Sequence, residues 1–146
     1  MIAIDTNILV YAHRPEFVLH QPARILVADL AGGPRPWAVV MHCLIEFAGA
    51  VSHPGRFRQP SSPDEIQDQI SAWLESPHLI LLEDSKIMLN RFLKLLRTGK
   101  ATGAMVHDAH IAAACLAGGA DELLTCDRDY ARFPALATRN PFVNAD

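Results

Sequence analysis

The sequence lacks an excess of positive charge and has no long apolar run. Its 146 residues carry 13 Lys and Arg against 16 Asp and Glu, giving a formal net charge of −3. The strongly basic balance that is the usual footprint of a nucleic-acid-binding protein is therefore missing. A nucleic-acid substrate is not excluded, because an acidic site that holds cations attracts phosphate locally. No stretch approaches the roughly 18 apolar residues of a membrane span, and no basic segment precedes an apolar one as in a signal peptide, so we expect neither.

Cysteine is scarce, and its three positions, Cys43, Cys115 and Cys126, do not have the spacing of metal ligands. An odd, small number of cysteines is typical of a protein of the reduced cytoplasm, where we expect this one to act. The length and a hydrophobic fraction of 50% predict one domain, residues 1–146, with a full core.

Several catalytic motifs are absent. The sequence has no glycine-rich phosphate loop and no nucleophile-elbow motif. His42 and Glu46 lie four residues apart, and His107 and His110 three apart, so either pair can share a helix face and hold zinc. Without Cys or His sets at established zinc spacing, zinc is the weaker alternative.

The opening residues contain the first positive signal. Ile2-Ala3-Ile4 is typical of a buried strand, and the Asp5-Thr6-Asn7 run that follows is typical of a helix N-terminus. Asp5 is then expected at the carboxyl end of a strand, which is where open α/β sheets bind ligands. A simple helix cap is the alternative interpretation of Asp5.

The same theme returns near the end of the chain. A short apolar strand at Glu122-Leu123-Leu124 leads to Thr125 and Asp127. Two strands that each deliver an aspartate at their carboxyl end are much less easily explained by coincidence. Asp127 and Asp129, two residues apart, can also serve a turn.

Two further carboxylates lie on expected helices. Glu46 falls among apolar positions of a helix at 41–52, and either an exposed or an inward orientation fits its context. Asp108 falls in the first turn of an Ala-rich helix within 103–117, where the helix dipole alone favours a carboxylate.

The whole pattern alternates strands with helices, which predicts an α/β fold with a mainly parallel sheet. Other strands are expected at 37–40 and 78–82, the latter buried, with an edge strand in Pro141–Asn144. Other helices are expected at 8–13, 21–30, 63 to before Pro77, and 86–97, and Ser62 with Glu65 fits a capping box.

Several carboxylates in one pocket repel each other unless protons or cations neutralise them. Hard oxygen ligands suit Mg²⁺ or Mn²⁺, and Thr6, Asn7 and Thr125 can orient such ligands. The residues therefore indicate metal-assisted hydrolysis of a nucleic-acid backbone.

A basic stripe lies on the helix expected at 86–97. Arg91, Lys94 and Arg97 follow each other at three-residue steps and share one face. The stripe is either ordinary solvated surface or a patch that contacts RNA phosphates.

Four segments together resemble PIN-domain ribonucleases, in particular the VapC-type toxins of bacterial type II toxin–antitoxin systems. They are Ile-Asp-Thr-Asn-Ile-Leu-Val-Tyr-Ala at the start, the mid-chain helical Glu46, His-Asp-Ala-His-Ile-Ala-Ala from His107, and Leu-Leu-Thr-Cys-Asp-Arg-Asp-Tyr-Ala-Arg-Phe-Pro from Leu123. They occur in the family's order and span essentially the whole chain.

The resemblance implies an α/β/α sandwich and a Mg²⁺- or Mn²⁺-dependent endoribonuclease. It implies homodimers and an antitoxin whose tail occupies the acidic groove. Thr125 matches the family's small hydroxyl position, Asp129 matches an additional acid, and Tyr130 stands where Phe is common, a departure expected to leave the chemistry unaffected. By position, the family's catalytic and metal-binding acids correspond to Asp5, Glu46, Asp108 and Asp127.

Two other functions share this pattern. One is a non-catalytic RNA- or protein-binding module that keeps the fold and the metal. The other is a nuclease of the same type in RNA processing or DNA repair, without an antitoxin. No acid of the quartet is missing, which argues against an inactive copy.

Overall fold

The structure, a computed structural model, describes residues 1–143. A five-stranded sheet lies at its centre, and all its neighbouring strands run parallel. The strands are β1 (Ile2–Ile4), β2 (Trp37–Val40), β3 (Leu79–Leu82), β4 (Glu122–Leu124) and β5 (Thr138–Arg139). Their order across the sheet is β3-β2-β1-β4-β5.

Helices connect the strands, as parallel pairing requires. They are α1 (Thr6–His13), α2 (His20–Gly32), α3 (Met41–Val51), α4 (Pro63–Leu74), α5 (Lys86–Thr98) and α6 (Met105–Ala117), and a 3₁₀ helix spans Arg128–Arg132. The predicted α/β/α architecture with a mainly parallel sheet is confirmed, and the sheet is parallel throughout residues 1–143.

The register of β1, the central strand, determines which residues lie at the carboxyl edge of the sheet. In β1, Ile4 is paired with Val39 of β2 on one side and with Leu124 of β4 on the other. The backbone N–H of Asp5 donates to the carbonyl of Leu124 at 3.0 Å. Asp5 and Thr125 therefore leave the sheet side by side.

The Ala-rich helix α6 is central, as its composition predicts. Its residues Ala109 and Ile111–Cys115 are buried, and it packs on α5 and contacts α3. Its end lies close to the sheet, because a Cβ at Gly118 would be 2.5 Å from Cδ2 of Leu82. Gly119, with φ +75°, then turns the chain towards β4.

The predicted edge strand at Pro141–Asn144 is wrong over the residues that the structure describes. Strand β5 lies earlier, at Thr138–Arg139, and residues 141–143 form a turn. Pro141 has no N–H for a ladder, and the side-chain oxygen of Asn140 accepts from the N–H of Phe142 at 3.0 Å, which favours the turn. Asn144 lies outside the described residues.

Strand β3 exists as predicted but is not buried as predicted. It lies at the edge of the sheet and pairs with β2, so only Leu82 among its residues is buried, while Ile80 is 41% exposed. An apolar run does not distinguish an edge strand from a central one.

Within residues 1–143, none of the helices combines the length and the apolar character needed to cross a bilayer.

Candidate functional site

Asp5 is the most tightly held carboxylate of the site. It caps α1 and is 4% exposed. Its Oδ1 accepts from the Thr6 backbone N–H at 2.8 Å and from the Tyr130 hydroxyl at 3.2 Å. Its Oδ2 accepts from the Asn7 side-chain amide at 2.9 Å and from the Thr125 hydroxyl at 2.6 Å. These four donors fix the orientation of the carboxylate.

Burial dominates the electrostatics of Asp5 and raises its pKa to about 6. The hydrogen bonds from Thr125, Thr6 and Tyr130 oppose that rise, because they stabilise the ionised form. The charge of Glu46 adds to the rise. Asp5 is thus a carboxylate whose ionisation near neutral pH depends on its neighbours.

Thr6 connects Asp5 to Glu46. While its backbone N–H bonds to Asp5, its hydroxyl donates to Oε1 of Glu46 at 2.9 Å. Glu46 lies on α3 with 30% of its side chain exposed, so it points into the site rather than into open solvent. Of the two orientations that the sequence left open for Glu46, the structure has the inward one.

Asp108 lies half-buried in the first turn of α6. Its pKa is raised to about 7, first by burial and then by the charges of the surrounding acids, with Asp127 the largest contributor among them, then Asp5, Glu46 and Asp129. The helix N-terminus is therefore not the only influence on this group. It lies in a field of like charges.

Asp127 caps the 3₁₀ helix, and its Oδ1 accepts from the N–H of Asp129 at 2.8 Å. Carboxylate oxygens of Asp108, Asp127 and Asp129 all lie within 4.8 Å of one another. This set contains only oxygen donors, which fits a hard cation such as Mg²⁺ or Mn²⁺. Asp129, expected in a supporting position, is thus grouped directly with two acids of the predicted quartet.

All four acids of the predicted quartet line one open pocket of about 250 Å³. Thr6 and Asn7 line it too, and the hydroxyl of Thr125 donates to Oδ2 of Asp5. The four acids that line the pocket are Asp5, Glu46, Asp108 and Asp127.

The pocket also contains residues that the sequence did not single out. Arg56, from the loop after α3, lines it beside the aromatic rings of Tyr11 and Phe17. Arg56 occurs in a polar, basic segment, and nothing in its local sequence marks it as part of a pocket. Tyr130 was expected to leave the chemistry unaffected, yet its hydroxyl, which a phenylalanine would lack, contacts Asp5.

Next to the acids, three histidines come together from two helices. Nε2 of His42 lies 2.8 Å from Nδ1 of His107 and 4.0 Å from Oε2 of Glu46. The rings of His42 and His110 meet edge to face at 4.5 Å between centroids. The pairs that the sequence placed on separate helix faces therefore form one cluster.

The basic stripe lies elsewhere on the surface. Arg91, Lys94 and Arg97 are all exposed on α5. Lys94 and Arg97 line a shallow depression with Leu93 and Thr98. Its role in RNA binding stays a prediction.

Known sequences resemble this chain over nearly its full length. The family model for the PIN domain matches residues 2–136. A VapC ribonuclease of Mycobacterium bovis is 33% identical over 141 residues, which cover 97% of this chain and 95% of that protein.

Solved structures share the fold. In the VapBC2 complex of Rickettsia felis, which is bound to a promoter DNA fragment, the matching chain has a TM-score of 0.65 at 22% identity, with 95% of this chain and 98% of that chain covered. VapC20 of Mycobacterium tuberculosis, a toxin that cleaves the sarcin-ricin loop, has a TM-score of 0.65 at 17% identity, with 90% and 93% covered.

Proposed function

Because this chain belongs to the PIN-domain family, we propose that it is an endoribonuclease toxin, which hydrolyses phosphodiester bonds of RNA and is silenced by an antitoxin protein. The relative at 33% identity is a VapC ribonuclease that the chain matches over nearly its full length. The proposal places the protein in the cytoplasm, with its RNA and its antitoxin.

One observation carries the catalytic part of the proposal. Asp5, Glu46, Asp108 and Asp127 come from four different elements of the chain and line the same pocket at the carboxyl edge of the sheet. Such an arrangement raises the pKa values of Asp5 and Asp108, and it would be costly if it served only the fold.

The cofactor that fits the pocket is Mg²⁺ or Mn²⁺. Asp108 and Asp127 would hold it, with Asp5, Glu46 and Asp129 as the remaining oxygen donors around them. When bound, such an ion polarises a phosphodiester and lowers the pKa of a water molecule that attacks phosphorus. The raised pKa values of Asp5 and Asp108 are expected to fall towards ordinary values when a cation compensates the repulsion.

The chain's own residues prepare the pocket for this chemistry. Thr125, Asn7 and Thr6 hold the carboxylate of Asp5 in one orientation, as hydrogen-bond partners around a metal site commonly do. Arg56 supplies a positive charge at the rim, where it can contact a phosphate of the RNA backbone.

The exposed apolar side chains of α5 support a contact with a protein partner. Leu89 and Leu93, one turn apart on α5, are 49% and 51% exposed, and such neighbouring apolar side chains are typical of a covered surface. This supports a homodimer or an antitoxin contact, and the mass of the isolated protein by light scattering distinguishes a dimer from a monomer.

The test of the activity uses the untagged protein, free of antitoxin, with a pool of structured RNAs that includes a sarcin-ricin loop. It is incubated with Mg²⁺, with Mn²⁺ or with EDTA. We expect cleavage that requires the metal and disappears in Asp108→Asn. The matched control is Asp64→Asn, the same change in the first turn of α4 at an exposed carboxylate.

Cleavage that is equal in folded Asp108→Asn and in the unmodified protein would contradict the role of this carboxylate. Binding of Mg²⁺ or Mn²⁺ by calorimetry without cleavage of any RNA would favour the binding-module alternative instead, and no binding of either ion would contradict the metal site itself.

A further inference from the structure

The histidine cluster beside the acidic pocket is not used by the proposed reaction. His42 lies in the first turn of α3, one turn before Glu46, and His107 lies in the first turn of α6. One ring nitrogen of His42, one ring nitrogen of His107 and a carboxylate oxygen of Glu46 all lie within 4.8 Å of one another. Two nitrogens and one oxygen converge here, in contrast to the oxygen-only set of Asp108, Asp127 and Asp129.

We propose that His42, His107 and Glu46 form a second metal site, which binds a transition-metal ion of the Zn²⁺ class. Imidazole nitrogen suits Zn²⁺, whereas Mg²⁺ prefers oxygen, so the two neighbouring donor sets differ in the ion they select. Two histidines and one carboxylate are a common protein contribution to a zinc site, with water in the fourth position.

The distances are close to those that zinc needs. Zn–N bonds of about 2.0–2.1 Å at tetrahedral angles separate two ligand atoms by roughly 3.3 Å. The observed separations are 2.8 Å between the two ring nitrogens and 4.0 Å between His42 Nε2 and Glu46 Oε2. These two separations lie on either side of the ideal value.

The ring of His42 contacts two other histidine rings, which restrict its orientation. The rings of His42 and His107 are stacked, with centroids 5.0 Å apart. His110 packs edge-on against His42, and its Nε2 is 2.9 Å from Oδ1 of Asp84, which fixes that ring. A site held before the metal arrives loses less conformational entropy on binding.

The third ring of the cluster, His110, lies outside the proposed ligand set. Its Nδ1 is buried and has no hydrogen-bond partner among residues 1–143. Buried polar atoms without a partner are rare and commonly indicate a water molecule or an ion nearby.

Glu46 connects the site to the proposed nuclease. Its Oε1 accepts from Thr6 on the side of Asp5, while its Oε2 faces His42. If the proposed function holds, zinc at the histidine cluster neutralises part of the negative charge that Glu46 contributes to the acidic pocket. Zinc would then inhibit RNA cleavage that is supported by Mg²⁺.

The primary test measures zinc binding itself, on the untagged full chain. Calorimetric titration with Zn²⁺ is performed in saturating Mg²⁺, which occupies the oxygen donors of Asp108, Asp127 and Asp129. We expect one zinc per chain. His42→Gln and His107→Gln should each weaken binding at least about tenfold, since even partners outside the coordination shell contribute about 10–100-fold. His78→Gln, at an exposed histidine outside the cluster, and Asp127→Asn, in the acidic pocket, should leave zinc affinity unchanged.

X-ray absorption at the zinc edge tests the unmodified protein without relying on variants. Two imidazoles per zinc are expected. An oxygen-only shell, or full zinc affinity in His42→Gln and His107→Gln, would overturn the proposal. So would a loss of affinity that occurs in Asp127→Asn and not in the histidine variants.

The two proposals fail separately. Zinc binding with two imidazoles in a protein that cleaves no RNA would leave the site intact and contradict the nuclease. Metal-dependent cleavage in a protein that binds no zinc would support the nuclease and contradict the site.

Discussion

The hydroxyl of Thr125 donates to Oδ2 of Asp5 across 2.6 Å, and this bond joins residues 120 positions apart in the chain. The hydroxyl oxygen of Thr125 also accepts from the N–H of Asp127 at 3.0 Å and from the side-chain amide of Asn7 at 3.1 Å. One buried hydroxyl thus positions the ends of β1 and β4 relative to each other, and with them two of the acids of the pocket.

Thr125→Val keeps the shape of this side chain but removes its hydroxyl. We expect the free energy of unfolding to fall by about 1–3 kcal/mol, because Asp5 and the donors of Asn7 and Asp127 lose a buried partner. Urea denaturation measures the change. Thr125→Ser retains the hydroxyl and is the control, and equal stabilities of the Val and Ser variants would show that the bond contributes little.

Tyr130→Phe tests whether the phenol hydroxyl at 3.2 Å from Asp5 influences that carboxylate. This bond lowers the pKa of Asp5, so its removal should raise the pKa further above about 6. Deprotonated carboxylates bind cations, and the pH at which Mg²⁺ binding reaches half its maximum should therefore move upward. Calorimetry with Mg²⁺ measures it over roughly pH 5.5–8, the range in which Asp5 and Asp108 titrate. An unchanged pH dependence of Mg²⁺ binding would show that the hydroxyl of Tyr130 does not influence Asp5.

The sequence predicted the local parts of this site well, and the long-range parts less well. The cap at Asp5 and the strand before it follow from neighbouring residues, so their prediction needed no tertiary information. The inward turn of Glu46 depends on Thr6, 40 positions away, and could not be read from its own helix. The convergence of His42 with His107 depends likewise on how α3 packs against α6, which helical spacing alone does not determine.

The shifted edge strand illustrates a different limit. Residues 141–143 have strand-like apolar character, but the local bond from Phe142 to Asn140 and the lack of an N–H at Pro141 favour a turn. Pairing partners decided the position of β5, because Thr138 and Arg139 match Leu123 and Leu124 in register. Side-chain composition contains little information about such register.

Asp108→Asn should stabilise the metal-free protein at high pH. The folded protein keeps a proton on Asp108 up to a pKa of about 7, whereas the unfolded chain releases it near pH 3.8. The folded state therefore binds more protons between these values, and wild-type stability falls as the pH rises through this window. Asn cannot ionise and escapes this loss. Because Asp108 is half-exposed and solvent screens the repulsion, we expect a gain of about 1 kcal/mol at pH 8, or roughly 3–5 °C in Tm.

Thermal melts in EDTA at pH 5 and at pH 8 measure this difference. The gain should be smaller at pH 5 than at pH 8, because at pH 5 only part of the loss between pH 3.8 and about 7 has occurred. Mg²⁺ should reduce it at pH 8 by neutralising the wild-type pocket. A variant that is less stable than the wild type at pH 8 would contradict the like-charge repulsion inferred for this pocket.

The stripe of Arg91, Lys94 and Arg97 gives the last prediction, since its position on α5 leaves it free to contact RNA outside the pocket. Replacing all three with Gln should weaken RNA binding and reduce the slope of log K against log salt by about 2, at about 0.7 per phosphate contact of a single strand. Binding is measured with catalytically inactive Asp108→Asn as the background, so that RNA remains intact. Arg24→Gln with Arg35→Gln removes exposed positive charge elsewhere and is expected to leave the slope unchanged. If the stripe and the control alter the slope equally, the effect is one of net charge, and the stripe is ordinary surface.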